Sequence, residues 1–206
     1  MSFPQLHTVT SYSLLSSTVR IRSYVKQAKA LGYQTLAITD INVLHGVVEF
    51  YEACQEAGIQ PIIGLRLEYT PVEKEGHSEL LLFAKNLKGY QQLMQLSSSK
   101  MTTEGPFYLA EHQSLLSDLF AVTLSAKGEV AQTFFEDEQQ AVHAFQQLAS
   151  YFDPQSLFVE HSFSMNQQRN PALFSFYQRE QLPGVALQEV RHLTREEGFA
   201  VTVLES

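Results

Sequence analysis

The chain has 206 residues, 44% of them apolar and 17% charged, which is enough to bury a core without disulfides or metal staples and leaves no long polar run to stay disordered. Its 22 acidic against 14 basic side chains give a net charge of -8, which excludes a surface built mainly to neutralise phosphates and leaves room only for a local basic patch. No eighteen apolar residues run together and Met1-Ser2-Phe3-Pro4-Gln5 lacks signal-peptide character, so a cytoplasmic location with no membrane partner is expected.

Short apolar, β-rich runs alternate with amphipathic stretches along the whole chain, the rhythm of repeated βα units around a parallel sheet. The predicted strands are Leu6 to Thr8, Thr35 to Thr39, Pro61 to Leu67, Leu80 to Ala84, Leu119 to Leu124, Leu157 to Glu160 and Val185 to Gln188. Most are apolar without interruption, as strands covered on both faces should be. Helices are predicted over Val19 to Leu31, Val47 to Ala57, Tyr90 to Ser97, Glu138 to Tyr151 and Pro171 to Glu180, where apolar residues recur every three or four positions. Gly32 and Gly58 stand where a left-handed helix end is wanted, and Asn170 before Pro171 reads as an N-cap followed by the first helical residue. Thr194-Arg195-Glu196-Glu197 reads as a capping box opening a last helix. That helix meets no stop signal before Ser206, so the chain is expected to be one domain, residues 1–206, cut from a longer polypeptide. Cys54, the single cysteine, lies on a helical face and reads as a small core residue.

Seven parallel strands predict a distorted (β/α)7 barrel of the TIM-barrel kind. In such barrels the working residues follow the C-terminal strand ends, where the βα loops converge on one mouth. Those positions hold His7, Val9, Asp40, Ile41, Arg66, Glu68, Ser125, Glu160, His161, Glu189, Arg191 and His192.

Three segments carry a specific likeness. Leu6-His7-Thr8-Val9-Thr10-Ser11-Tyr12-Ser13-Leu14-Leu15 is similar to the pattern L-H-V-H-[ST]-x-[YF]-S-L-L-D-G. Ala28-Lys29-Ala30-Leu31-Gly32, Leu36-Ala37-Ile38-Thr39-Asp40 and Gly46-Val47-Val48-Glu49-Phe50-Tyr51 are similar to A-K-x-L-G, L-A-I-T-D-H and G-A-V-E-F-Y. Ala57-Gly58-Ile59-Gln60-Pro61-Ile62-Ile63-Gly64, followed by Leu81-Leu82-Phe83-Ala84-Lys85-Asn86 and Gly89-Tyr90, is similar to A-G-I-x-P-I-I-G-x-E and L-L-A-K-N-x-x-G-Y. In this order they resemble the PHP (polymerase and histidinol phosphatase) domain at the N-terminus of bacterial DNA polymerase III alpha subunits.

That resemblance implies a barrel mouth holding Zn, Mn or Mg on histidines and carboxylates for phosphoester or proofreading exonuclease chemistry. It further implies a polymerase domain, with its own Mg, C-terminal to this segment. The implied partners are the rest of the alpha subunit and other replisome proteins, with DNA met through the parent protein. The ligand pattern departs from the family's repeatedly. His7 matches the first histidine of H-x-H but the second is Val9; the aspartate of L-L-D-G is Ser16; Asp40 stands but the histidine after it is Ile41. Arg66 replaces a glutamate, Ser125 a cysteine, and Glu189-Val190-Arg191 a closing D-x-H. Valine and isoleucine have no lone pair to give, and two arginines bring permanent positive charge, so no metal is expected in this chain. His7 and Asp40 are its only residual ligand candidates.

Blander readings stand beside these. His7 reads as a hydrogen-bonded core histidine, Asp40 as a helix cap, and Arg66 and Arg191 as internal salt bridges, with Asp40 or Glu189 as partners, or as an anion site. His45, His77, His112 and His143 read as loop or helix-surface residues. At the level of function the choice lies between an interaction module of a polymerase subunit and a freestanding phosphoesterase of the histidinol phosphatase type. An unrelated sugar-metabolising barrel would leave the ordered motifs unexplained.

Overall fold

A computed structural model of the protein describes residues 4–72, 76–162 and 171–204. The chain forms two compact units, one of Met1–Leu65 with Gln188–Ser206 and one of Arg66–Leu187.

In the first unit, β1 (His7–Thr8) pairs in parallel with β8 (Glu189–Val190), His7 opposite Glu189. Strand β2 (Thr35–Ile38) runs parallel to the start of β3 (Gln60–Tyr69), and Thr39 donates its amide to the Thr8 carbonyl to bring the loop after β2 beside the end of β1. Helix α1 (Ile21–Ala30) buries Ile21, Tyr24, Val25 and Ala28, and α2 (Val47–Ala57) buries Val47, Phe50, Ala53 and Cys54, the three- and four-residue spacing of an apolar stripe. Tyr24 stacks on Phe50, tying the helices together, and the thiol pKa of fully buried Cys54 is pushed up to about 11 by burial, as befits a core residue. Gly58 ends α2 in the left-handed region at φ +65°, where a Cβ would be strained. Helix α7 (Arg195–Leu204) opens on the expected Thr194 cap, with Glu197 donating its amide to Thr194 Oγ1. The Glu197 carboxylate reaches back one residue further than a capping box requires, to the Leu193 amide.

The second unit continues β3 into a sheet ordered β3, β4 (Ser78–Ala84), β5 (Leu119–Thr123), β6 (Leu157–Ser162) and β7 (Gly184–Leu187). Strands β5, β6 and β7 run parallel to one another, but β4 runs antiparallel to β5, Leu80 opposite Thr123 and Ala84 opposite Leu119. The seven-stranded all-parallel barrel is therefore corrected: the described residues hold eight strands, and β4 is antiparallel to β5. The cause is chain length. Eight residues separate β3 from its neighbour β4, fewer than the dozen or more that a crossover between parallel strands needs.

Helix α3 (Leu87–Thr102) is twice as long as predicted; it begins three residues earlier, where Asn86 caps it, accepting the Gly89 amide at 3.0 Å, and runs five residues further. Helices α4 (Glu129–Glu136) and α5 (Glu138–Ala149) pack on each other, α5 capped by Asp137, and α6 (Pro171–Arg179) sets Phe176 against Phe134 of α4. The 3₁₀ segment Leu109–Leu115 and α4 have no counterpart among the predicted elements. Asn170, the predicted cap of α6, lies outside the described residues.

Candidate functional site

Of the positions singled out in the sequence, His7, Val9, Ser16, Asp40, Ile41, Glu189 and Arg191 belong to the first unit, and Arg66 and Ser125 to the second.

In the first unit the β1–β8 register sets His7 beside Glu189. His7 Nε2 lies 3.6 Å from Glu189 Oε1, and Arg191 Nε lies 2.8 Å from the same oxygen. Glu189 thus joins a buried imidazole to a guanidinium. Of the two partners foreseen for Arg191, Glu189 is the one that it meets.

Asp40 is 1% exposed and sits in a shell of donors. Its Oδ1 accepts the Thr10 amide and the Ser13 hydroxyl, and its Oδ2 the Thr10 hydroxyl, each at 2.7 Å. Burial pushes the carboxyl above its ordinary range, opposed by these bonds and by the charge of His45. Ser13 Oγ also accepts the Ile41 amide, so the carboxylate and two hydroxyls lock the turn after β1 to the loop after β2. Among the described residues of its own unit, Asp40 therefore neither caps the next helix nor pairs with an arginine. It organises the loop behind it.

Val9 is fully buried and donates its amide to the Val190 carbonyl. Ser16 is half-buried, its hydroxyl turned to the Leu14 carbonyl at 3.3 Å. Its neighbour Ser17 is the better placed of the two: it is buried, with Oγ 2.7 Å from the Val9 carbonyl and 2.9 Å from that of Arg191.

In the second unit Arg66 is 3% exposed and is held by Glu79, whose side chain is 5% exposed, through Nε at 2.6 Å and through Nη2. Lys127 Nζ takes the other Glu79 oxygen at 3.1 Å, so one buried carboxylate answers two cations. Glu79 was not among the sequence candidates. It stands on β4 two residues before Leu81, on a strand whose apolar run hid it. The sequence offered Asp40, Glu189 or an anion to the two arginines; within the second unit it is Glu79 that β4 brings to Arg66.

Ser125 donates both its amide, at 2.7 Å, and its hydroxyl, at 2.9 Å, to Glu160 Oε2. Glu160 is buried, so the serine at the end of β5 satisfies a carboxylate at the end of β6. Nearby in sequence, buried Glu129 at the start of α4 accepts the Tyr69 hydroxyl at 2.8 Å, and the Tyr69 phenol is driven well up, by burial first and by that carboxylate next. His161 is packed against Phe174 and Tyr177, and its pKa is lowered by burial. His192, also singled out, is exposed.

Among the described residues no three His, Cys, Asp or Glu side chains come together as a metal cage. Asp40, the carboxylate best placed by sequence to hold a metal, has its oxygens turned to amide and hydroxyl donors, and Val9 and Ile41 bring no lone pairs to the ligand positions that they occupy.

A family model described as "PHP domain" matches residues 5–162. Over 211 aligned positions the chain is 30% identical to the DNA polymerase III subunit alpha of Bacillus subtilis, covering 100% of this chain and 19% of that protein. The likeness to the same subunit of Halalkalibacterium halodurans is also 30%, with 100% and 19% covered, so the chain spans about a fifth of the length of these curated relatives. Among solved structures, an amidohydrolase of Chromobacterium violaceum is similar with a TM-score of 0.62 at 12% identity, covering 94% of this chain and 89% of that one. At that identity the likeness concerns the fold. No helix among the described residues is long and apolar enough to cross a membrane.

Proposed function

Because this chain belongs to the PHP domain family, we propose that its 206 residues are the N-terminal PHP domain of a replicative DNA polymerase III alpha subunit, with the metal-dependent chemistry lost. Nucleotidyl transfer, with its Mg, is then the work of a polymerase domain beyond this segment. The PHP domain serves as a structural and interaction module for that polymerase and for cytoplasmic replisome partners. The likeness to alpha subunits over the whole chain supports the first half of this reading.

The second half rests on Asp40. A carboxylate that is to bind a metal must present free lone pairs, and this one receives three donors from Thr10 and Ser13 at 2.7 Å. Arg191 on Glu189 and Arg66 on Glu79 supply fixed positive charge to carboxylates near positions that the family gives to ligands. Ion pairing and packing have taken the place of metal coordination, each within its own unit.

The test is hydrolysis of a labelled single-stranded DNA and of a generic phosphodiester by the 206-residue chain with manganese, zinc or magnesium. No turnover above the blank is expected. Turnover abolished by His7→Ala or Asp40→Ala would instead support the freestanding phosphoesterase.

A further inference from the structure

The acidic balance of the chain is unevenly distributed. Residues 1–39 hold four cations, Arg20, Arg22, Lys26 and Lys29, and no aspartate or glutamate, leaving 10 basic against 22 acidic side chains in the rest. All four cations are exposed. Since α1 turns Ile21, Tyr24, Val25 and Ala28 to the core, Arg22, Lys26 and Lys29 form a stripe at i, i+4 and i+7 along one exposed flank of the helix, with Arg20 just before it.

Internal contacts do little to satisfy this stripe. Arg22 reaches Glu56 at 3.2 Å, but both side chains are more than half exposed, 60% and 68%, so the bridge is weak and easily exchanged. Lys29 Nζ lies by Gly58 at the carbonyl end of α2, a favourable but non-ionic setting. Arg20 and Lys26 form no ion pair among the described residues. Two arginines at the positive end of a helix dipole, with no acidic residue in the first turn, are also placed where cations cost helix stability. Weakly answered among the described residues, the arrangement suits an anionic polymer outside the protein.

The spacing of the stripe fits a phosphate backbone. The stripe from Arg22 to Lys29 rises about 10 Å along the helix. One strand of duplex DNA advances about 3.4 Å along the duplex axis per phosphate, so a stripe of that length is on the scale of a few phosphates. We propose that the exposed face of α1 contacts the phosphate backbone of DNA through Arg22, Lys26 and Lys29. The contact is weak and independent of sequence, since no base-reading group accompanies it. The choice of DNA over an acidic polypeptide rests on the polymerase reading, whereas the charge pattern stands without it.

The test is fluorescence anisotropy of a labelled mixed-sequence duplex and a labelled oligothymidylate with the 206-residue chain, titrated with salt and without metal. Binding at low salt is expected, with log K falling against log salt at a slope of roughly -2 to -3 for three phosphates. Arg22→Gln/Lys26→Gln/Lys29→Gln is expected to bind about tenfold or more weakly, its slope shrinking by roughly one unit for each phosphate no longer neutralised, while its thermal unfolding is no lower than that of the parent. Three results overturn the proposal: no binding of either DNA, a triple variant with parental affinity and slope, or polyglutamate of similar length binding as tightly as DNA. The hydrolysis assay is untouched by any of these, so the two readings fail separately.

Discussion

Thr10 gives both its amide and its hydroxyl to Asp40, one to each carboxylate oxygen, at 2.7 Å apiece across 30 residues of sequence. A carboxylate shared in this way is a structural strut. It holds the turn that follows β1 against the loop that follows β2, and the hydroxyl of Ser13 extends the same lock to the Ile41 amide.

Replacing Thr10 by valine keeps the amide bond and the shape but removes one donor from a buried carboxylate. A loss of about 1–3 kcal/mol is expected, read as a lower urea midpoint with an unchanged slope. No change in midpoint would show that the strut carries no stability.

The pH dependence of that strut has a definite sign. Burial raises the folded pKa of Asp40 above its ordinary value of 3.8, so its favourable contribution is complete below that value and declines as pH rises through the folded pKa. Urea unfolding of the parent and of Asp40→Asn across the acid range should show the parent gaining stability relative to the variant as pH falls. A difference that grows toward neutral pH would mean that the three hydrogen bonds outweigh burial.

The ion pair of Arg66 with Glu79 makes opposite predictions for one change and for two. Glu79→Ala takes the buried carboxylate away from a guanidinium that is 3% exposed and should cost about 3–5 kcal/mol. Arg66→Met with Glu79→Leu removes both charges and should be neutral or stabilising by up to ~4 kcal/mol. Chemical denaturation of the parent and both variants separates these outcomes. A double variant as unstable as the single would show that the pair contributes more than its mutual neutralisation.

Restoring one ligand should not restore a metal site. Val9→His places an imidazole in a fully buried apolar position, while Asp40 keeps its three donors and Glu189 its arginine. Calorimetric titration with zinc and manganese should show no stoichiometric binding; tight binding of one ion would end the reading of a lost site.

Local physics in the sequence was enough for these strands, because a strand buried on both faces writes itself as an uninterrupted apolar run, and all seven predicted ones fall within about two residues of their observed ends. Helix α2 and its left-handed stop at Gly58 were legible for the same reason: the stripe and the glycine lie within one short window. Helix α4 was not, since eight residues are too few to hold together without burying Val130 and Ala131 against the rest of the unit. The family's ligand positions could be read from the motifs, but the partners of the residues that stand there could not. Glu79 meets Arg66, Glu160 meets Ser125 and Thr10 meets Asp40 across 13, 35 and 30 residues. Such distances are closed by strand order and register, which no local pattern encodes. The reversal of β4 belongs to the same class, decided by an eight-residue connection too short to cross over. The sequence alone thus determined most of the elements and the absence of donor atoms at Val9 and Ile41; only the tertiary structure decided which charges neutralise which, because pairing depends on where the sheet brings distant residues together.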